Sequence, residues 1–293
     1  MPNVALVLSS GGARGYAHIG AIEALQERGY NITGVAGTSM GALVGGIFCT
    51  GHMPEVKEWM LSLSRRDRLG LYDVSLSKSH LFKGEKIINA LLKIVPDCNI
   101  DELKTPFRAI ATDLIRSREI VFDRGSLYAA IRASIAIPTY YSPLRTRTML
   151  LVDGGIVNPL PLNRAPRTEG DILVAVNVSA PNDEDLRKQR IRAQAQYRSA
   201  LPVWLRRIMP LPDKFSTNYI TLLQDTINTQ IQRHTVLALK ITPPDLLVSI
   251  PMNRFGGSDY DHAAKIIREG YQRMNEAIDS YEQEISKVLR LKD

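Results

Sequence analysis

Two successive units of strand, glycine-rich turn and helix open the chain, and nothing else in it restricts the fold as much. The first is the apolar run 3–9, the turn Ser10-Gly11-Gly12-Ala13-Arg14-Gly15, and a stretch over 16–27 with Ile19, Ile22 and Leu25 at helical spacing. The second is the apolar run 32–36, the turn Gly37-Thr38-Ser39-Met40-Gly41, and a helix of small residues over 42–49. A strand that returns through a helix to lie beside itself makes a parallel pair, so this opening predicts an α/β fold. Both turns then fall at the carboxyl edge of the sheet, where open α/β folds bind ligands.

Later segments extend the pattern. Helices are predicted over 54–65 and 83–94, with a polar segment at 75–80 between them, as a flap beside the site. Strands are predicted over 107–112 and 119–122, joined by a turn at Arg116-Ser117-Arg118, and a helix over 126–135 that stops at Ile137-Pro138. The short strand 149–152 leads into Asp153-Gly154-Gly155, and the β-branched run 171–178 closes the catalytic core. Beyond it the composition turns charged, with a long helix expected over 215–238, a returning strand over 245–250 and a helical segment over 260–289. Domain boundaries read as a core over 1–180 and a mostly helical extension over 181–293 that packs on it.

Composition excludes several classes. With 44% hydrophobic and 23% charged residues the chain is an ordinary globular protein. Its two cysteines, Cys49 and Cys98, make neither a disulfide framework nor a C-x-x-C pair. The apolar run at 4–8 is too short for a signal segment, and no window holds the 18 or so apolar residues that span a bilayer. A soluble cytoplasmic protein is the expectation. The net charge of +7 suits an anionic membrane surface or nucleic acid, but the basic residues are dispersed and match no nucleic-acid motif, so no nucleic-acid partner is expected. The segment 198–212, which mixes Trp204 with Arg206 and Arg207, has the composition of a peripheral contact with anionic membrane at the inner surface; a loop packing Trp204 on the core would read the same way.

The chemistry rests on Ser39. Glycines on both sides of a serine, between a strand and a helix, are the G-x-S-x-G nucleophile-elbow arrangement, although a turn that only needs small residues looks identical. The loop 10–15 is an anion-binding nest able to hold a phosphate or a developing oxyanion. It lacks a first glycine for a dinucleotide fingerprint and has no Walker lysine. A nucleophilic serine needs a base. The five histidines, His18, His52, His80, His234 and His262, include none in the late post-strand position of a Ser-acid-His hydrolase, and His18 reads as a packed, hydrogen-bonded core residue. Asp113, at a strand end, is in a candidate position for catalysis, although a carboxylate there more often caps or braces a loop. A serine–histidine triad is thus unsupported though still open, and the economical arrangement is a serine–aspartate dyad with Asp153 as base, its pKa raised by burial from about 3.9 toward neutrality.

Taken together, Gly11-Gly12-Ala13-Arg14-Gly15, Gly37-Thr38-Ser39-Met40-Gly41 and Asp153-Gly154-Gly155 resemble the patatin-like phospholipase family, in its bacterial, neuropathy-target-esterase-type branch. The likeness continues through Ala133-Ser134-Ile135-Ala136-Ile137-Pro138 and Asn158-Pro159-Leu160-Pro161 and covers about residues 3–180 in register. It implies a three-layer α/β/α fold with a mostly parallel central sheet and a helical C-terminal extension. It further implies that Ser39 attacks a lipid ester, Asp153 takes and returns the proton, and the N–H groups of Gly11, Gly12 and Ala13 hold the oxyanion, with Arg14 and Gly15 supporting the loop. Gly37, Gly41, Gly154 and Gly155 carry the elbow and base motifs. No metal and no cofactor are implied, and the substrate is a phospholipid or lysophospholipid. A lipid transacylase and a catalytically weak lipid-binding regulator would carry the same motifs. One departure stands out: the family's first loop glycine is Ser10 here.

Overall fold

The computed structural model describes residues 2–71, 73–75, 80–185, 188 and 219–290. β1 (Asn3–Leu8) leads through a 3-10 turn into α1 (Tyr16–Glu27), and β2 (Asn31–Thr38) leads directly into α2 (Met40–Thr50). An excursion from the sheet follows: α3 (Met53–Ser62), α4 (Arg65–Gly70), β3 (His80–Phe82) and α5 (Glu85–Leu92). The chain then forms β4 (Phe107–Asp113), β5 (Arg118–Phe122), α6 (Leu127–Ser134), β6 (Thr139–Tyr141), β7 (Leu144–Arg145), β8 (Leu150–Asp153) and β9 (Ile172–Ala180). Last come α7 (Tyr219–Ile241), β10 (Leu246–Pro251) and α8 (Ala263–Arg290). The expected helix over 215–238 is α7, less residues 215–218, which lie outside the described set together with the basic segment 198–212 and residues 76–79 of the expected flap.

Eight strands make one sheet in the order β10-β9-β1-β2-β4-β8-β7, with β5 on β4. The run β10-β9-β1-β2-β4 is parallel throughout, and β5, β8 and β7 add antiparallel pairs at one edge. β1 is buried from Val4 to Leu8, as a strand covered on both faces must be. Its period of two sorts its side chains: Val4, Leu6 and Leu8 join the large core beneath α1, α2, α6 and α8, while Ala5 and Val7 join a smaller one covered by Leu160, Leu162 and α7. Helix, sheet and helix therefore form three layers. The strand expected over 245–250 is β10, and its parallel pairing with β9 brings the region after residue 180 into the central sheet itself. Among the described residues no helix is long and apolar enough to cross a membrane.

α1 and α8 pack in backbone contact. A Cβ built at Gly20 would lie 1.9 Å from the Ile267 carbonyl oxygen, and one at Gly270 would lie 2.0 Å from that of Ala17. Side chains cannot yield there, because the obstacle is main chain. Gly20→Ala is expected to destabilise the fold by on the order of 3 kcal/mol through overpacking, read as a lower denaturation midpoint in urea with an unchanged slope.

The sheet also brings the two key side chains together. β2 and β8 lie on the same side of β4, opposite β5, and meet end to end there. Thr38 at the end of β2 is opposite Ile110, and Asp153 at the end of β8 is opposite the next residue, Ala111. Ser39 and Asp153 are thus neighbours by register, although 114 positions apart in the chain.

Candidate active site

Ser39 sits on the tight corner between β2 and α2 with φ 57° and ψ −122°, one of three non-glycine residues of positive φ among the described residues. Such backbone costs about 1–3 kcal/mol and persists only where neighbours enforce it. Ser134 supplies part of the enforcement. Its Oγ accepts the Ser39 N–H at 2.8 Å and donates to the Ile110 carbonyl at 2.6 Å, tying the elbow to β4 and α6. The flanking glycines are demanded by close approach: a Cβ at Gly37 would meet the Gly41 carbonyl oxygen at 2.3 Å, and one at Gly41 would meet that of Leu8 at 2.3 Å. The Ser39 side chain makes no capping bond to α2, so its hydroxyl stays at the helix N-terminus facing the cavity.

Asp153 is 5% exposed. Its Oδ1 accepts the Gly155 N–H at 2.7 Å, which is the use the D-G-G turn makes of its second glycine; Gly154 passes close under the Ile110 carbonyl. Burial pushes the carboxyl up to about 6, against the opposing pull of the Ser39 hydroxyl and the Gly155 N–H. Ser39 thus acts on the carboxyl, yet Oδ2 has no well-formed hydrogen bond among the described residues. The two side chains are neighbours, set more loosely than a formed hydrogen bond, as catalytic pairs often are before substrate enters.

The glycine loop lies beside them. Among the described residues the N–H groups of Gly11 and Gly12 have no acceptor, whereas that of Ala13 donates to the Gly257 carbonyl at 2.8 Å. Ala13 therefore departs from the sequence-based expectation of an oxyanion donor, because its N–H is already held by the loop after β10. Gly12, at φ 56°, faces the same carbonyl: a Cβ there would lie 2.5 Å from it. Arg14 is buried and donates to the carbonyls of Gly11 at 3.1 Å and Met252 at 3.0 Å, so it braces the loop against the β10 end. Burial brings its guanidinium down to about 10, still fully charged at neutral pH. Gly15 ends the 3-10 turn as the N-cap of α1 and lies against Met40. Ser10 has no positive φ, so serine replaces glycine there without strain; its buried Oγ has no partner among the described residues and is close to Gly155.

Histidine takes no part in this cluster. No histidine lines the cavities at Ser39 among the described residues. His18 is fully buried, and its Nε2–H donates to the Ser9 carbonyl at 2.9 Å. Burial drops it to about 4, against the raising effect of that bond, and it stays neutral at physiological pH. Asp113 braces the β4–β5 turn by accepting from the Ile115 N–H at 3.1 Å and from Arg116 at 3.2 Å.

Three contributors carry no motif of their own: Ser134, the Gly256-Gly257-Ser258 loop, and Tyr260, whose ring meets Tyr16 edge-on at 6.0 Å over the cavity. Only Ser134 has a signal, its place in the stretch 133–138.

The sequence pattern of the family described as Patatin-like phospholipase matches residues 6–166. An uncharacterized NTE family protein of Mycobacterium tuberculosis is 48% identical over 178 residues, which are 61% of this chain and 49% of that protein. Patatin-like phospholipase domain-containing protein 6 of Homo sapiens is 27% identical over 279 residues, 92% of this chain and 20% of that protein. The chain spans about half the length of the mycobacterial relatives it matches. Among solved structures, VipD from Legionella pneumophila superposes with a TM-score of 0.46 at 15% identity, over 96% of this chain and 67% of that one.

Proposed function

Because the chain belongs to the patatin-like phospholipase family, we propose that it is a serine acyl hydrolase that cleaves lipid carboxylic esters, of phospholipid or lysophospholipid type, through an acyl-enzyme on Ser39. The observation that carries this reading is the pairing, in one cavity, of a serine on a strained helix-start corner with a buried aspartate held near pKa 6.

Ser39 Oγ attacks the ester carbonyl carbon while Asp153 removes its proton. The negative charge that develops on the carbonyl oxygen meets the free N–H groups of Gly11 and Gly12 and the start of α2, all fixed before reaction. The carbon–alcohol bond breaks, and Asp153 passes the proton to the departing alkoxide. Water then adds to the acyl carbon, giving a proton to Asp153, and the carbon–Ser39 bond breaks as that proton returns to Oγ. A carboxylic acid leaves. An aspartate poised near 6 serves both halves, since it is ionised at neutral pH yet basic enough to accept a proton.

Purified protein incubated with a fluorophosphonate is expected to carry the label on Ser39, located by peptide mass spectrometry; no label together with no ester turnover would sink the reading. The pH dependence follows from the required ionisation. The logarithm of kcat/KM on a neutral ester should be flat above pH about 7 and fall with unit slope below about 6. A midpoint near 4 would mean that burial of Asp153 has no part in the chemistry.

A further inference from the structure

Resting on the hydrolase reading, we infer that the cavity divides the substrate between two arms that meet at Ser39, the acyl chain entering the narrow arm and the alcohol the wide one. Both arms include Gly12, Ser39, Ile137, Tyr141 and Tyr260, so the reacting carbon sits at their junction. Beyond it they differ. The narrow arm, about 90 Å³, runs among Leu43, Trp59, Met60, Leu63, Leu71 and Ile87, between α2 and the α3–α5 excursion. Its one charged lining residue among those described is Arg68, engaged by Asp261 at 2.9 Å and by the Leu63 carbonyl. The wide arm, about 370 Å³, carries Asp153, Gly11, Arg14 and the polar side chains of Gln224, Asn228 and Ser258. Beside them lie the apolar Phe82, Ile156, Ile227 and Ile231.

The assignment follows from the proton's route. Asp153 must hand the Ser39 proton to the leaving alkoxide and later take one from water, so both must stand on its side of the acyl carbon. Asp153 lines the wide arm and not the narrow one. In the reverse orientation the alcohol would leave out of reach of its acid, and a polar head group would lie among leucine, isoleucine and tryptophan without hydrogen-bond partners. The acyl chain accordingly stays in the narrow arm through both steps, while alcohol departs and water arrives by the wide one. Trp59 and Ile87 are then specificity residues for chain length, and Asn228 is one for the alcohol.

The test uses p-nitrophenyl butyrate, octanoate, dodecanoate and hexadecanoate. Ile87→Trp should lower kcat/KM on the long esters about tenfold or more relative to butyrate, and Trp59→Ala should move the optimum to longer chains. Asn228→Leu should leave that profile in place and change the ranking of esters that share an acyl group but differ in alcohol. An altered chain profile in Asn228→Leu with an unaltered one in both Ile87→Trp and Trp59→Ala overturns the inference. A second readout needs no turnover. The chain has two tryptophans, so in a Ser39→Ala, Trp204→Phe protein all tryptophan emission comes from Trp59, and bromododecanoate is expected to quench it saturably. Absence of quenching places the chain elsewhere and overturns the assignment. A protein that turns over no ester but shows the quench would defeat the hydrolase reading while the narrow arm keeps its occupant.

Discussion

Ser39→Ala is expected to lower kcat/KM on any ester substrate by about 10⁴-fold or more while leaving the protein folded. On the proposed mechanism the loss is large because Ser39 itself carries the acyl group: Ser10 Oγ, the hydroxyl on the glycine loop, lies toward Gly155 rather than at the α2 N-terminus. Folding survives because what holds the elbow is main chain. The residue 39 N–H keeps its bond to Ser134 Oγ, and the close approaches of Gly37 and Gly41 do not involve the side chain. Circular dichroism and a denaturation curve matching the parent, alongside loss of turnover and of fluorophosphonate labelling, complete the test. Retained turnover would remove Ser39 from the mechanism.

Asp153→Asn is expected to divide activity from stability in opposite directions. Activity should fall by about 10³–10⁴-fold, since an amide accepts no proton from Ser39. Stability should rise at neutral pH. The carboxyl is held near 6 when folded against 3.8 for an ordinary aspartate, so its contribution to stability is fully present below about 4 and is lost as pH rises through 6. At pH 7 the native state therefore bears a buried charge costing about 3 kcal/mol, which asparagine removes while keeping an oxygen for the Gly155 N–H. The variant should exceed the parent in denaturant midpoint above pH 6, and the two should converge near pH 4. His18 has the opposite sign. Its depressed value of about 4 means stability present above 6.5 and lost as pH falls through 4. In the parent the two trends oppose one another through pH 4–6, so the variant alone should show a marked acid decline. Equal stability of variant and parent at pH 8 would refute the buried charge.

Much of the fold is legible in the sequence because its first fifty residues repeat a strand, glycine turn and helix, and each apolar run is short and sharply bounded. Ser39 and Asp153 are legible for the same reason: each is a reactive side chain set among glycines at a strand end. The missing information is of long range. Nothing near residue 13 signals that its N–H belongs to Gly257, because that bond depends on β10 adding to the sheet beside β9. The apposition of β2 and β8 on one side of β4 is a fact of register, invisible to a pattern read along the chain. Arg14 could be read as a brace or as an anion site until its two carbonyl partners, one of them at Met252, decided for the brace.

The bond from Ala13 to Gly257 also sets a clock on synthesis. The glycine loop leaves the ribosome well before the residue that props it, so at about 10 residues per second roughly 20 s separate the two. Through that interval the Ala13 N–H lacks the acceptor it has in the finished fold, and the β9 edge lacks β10 as its neighbour. A chain truncated before residue 250 would carry every signature residue and still lack the Met252 and Gly257 carbonyls that hold Arg14 and the Ala13 N–H.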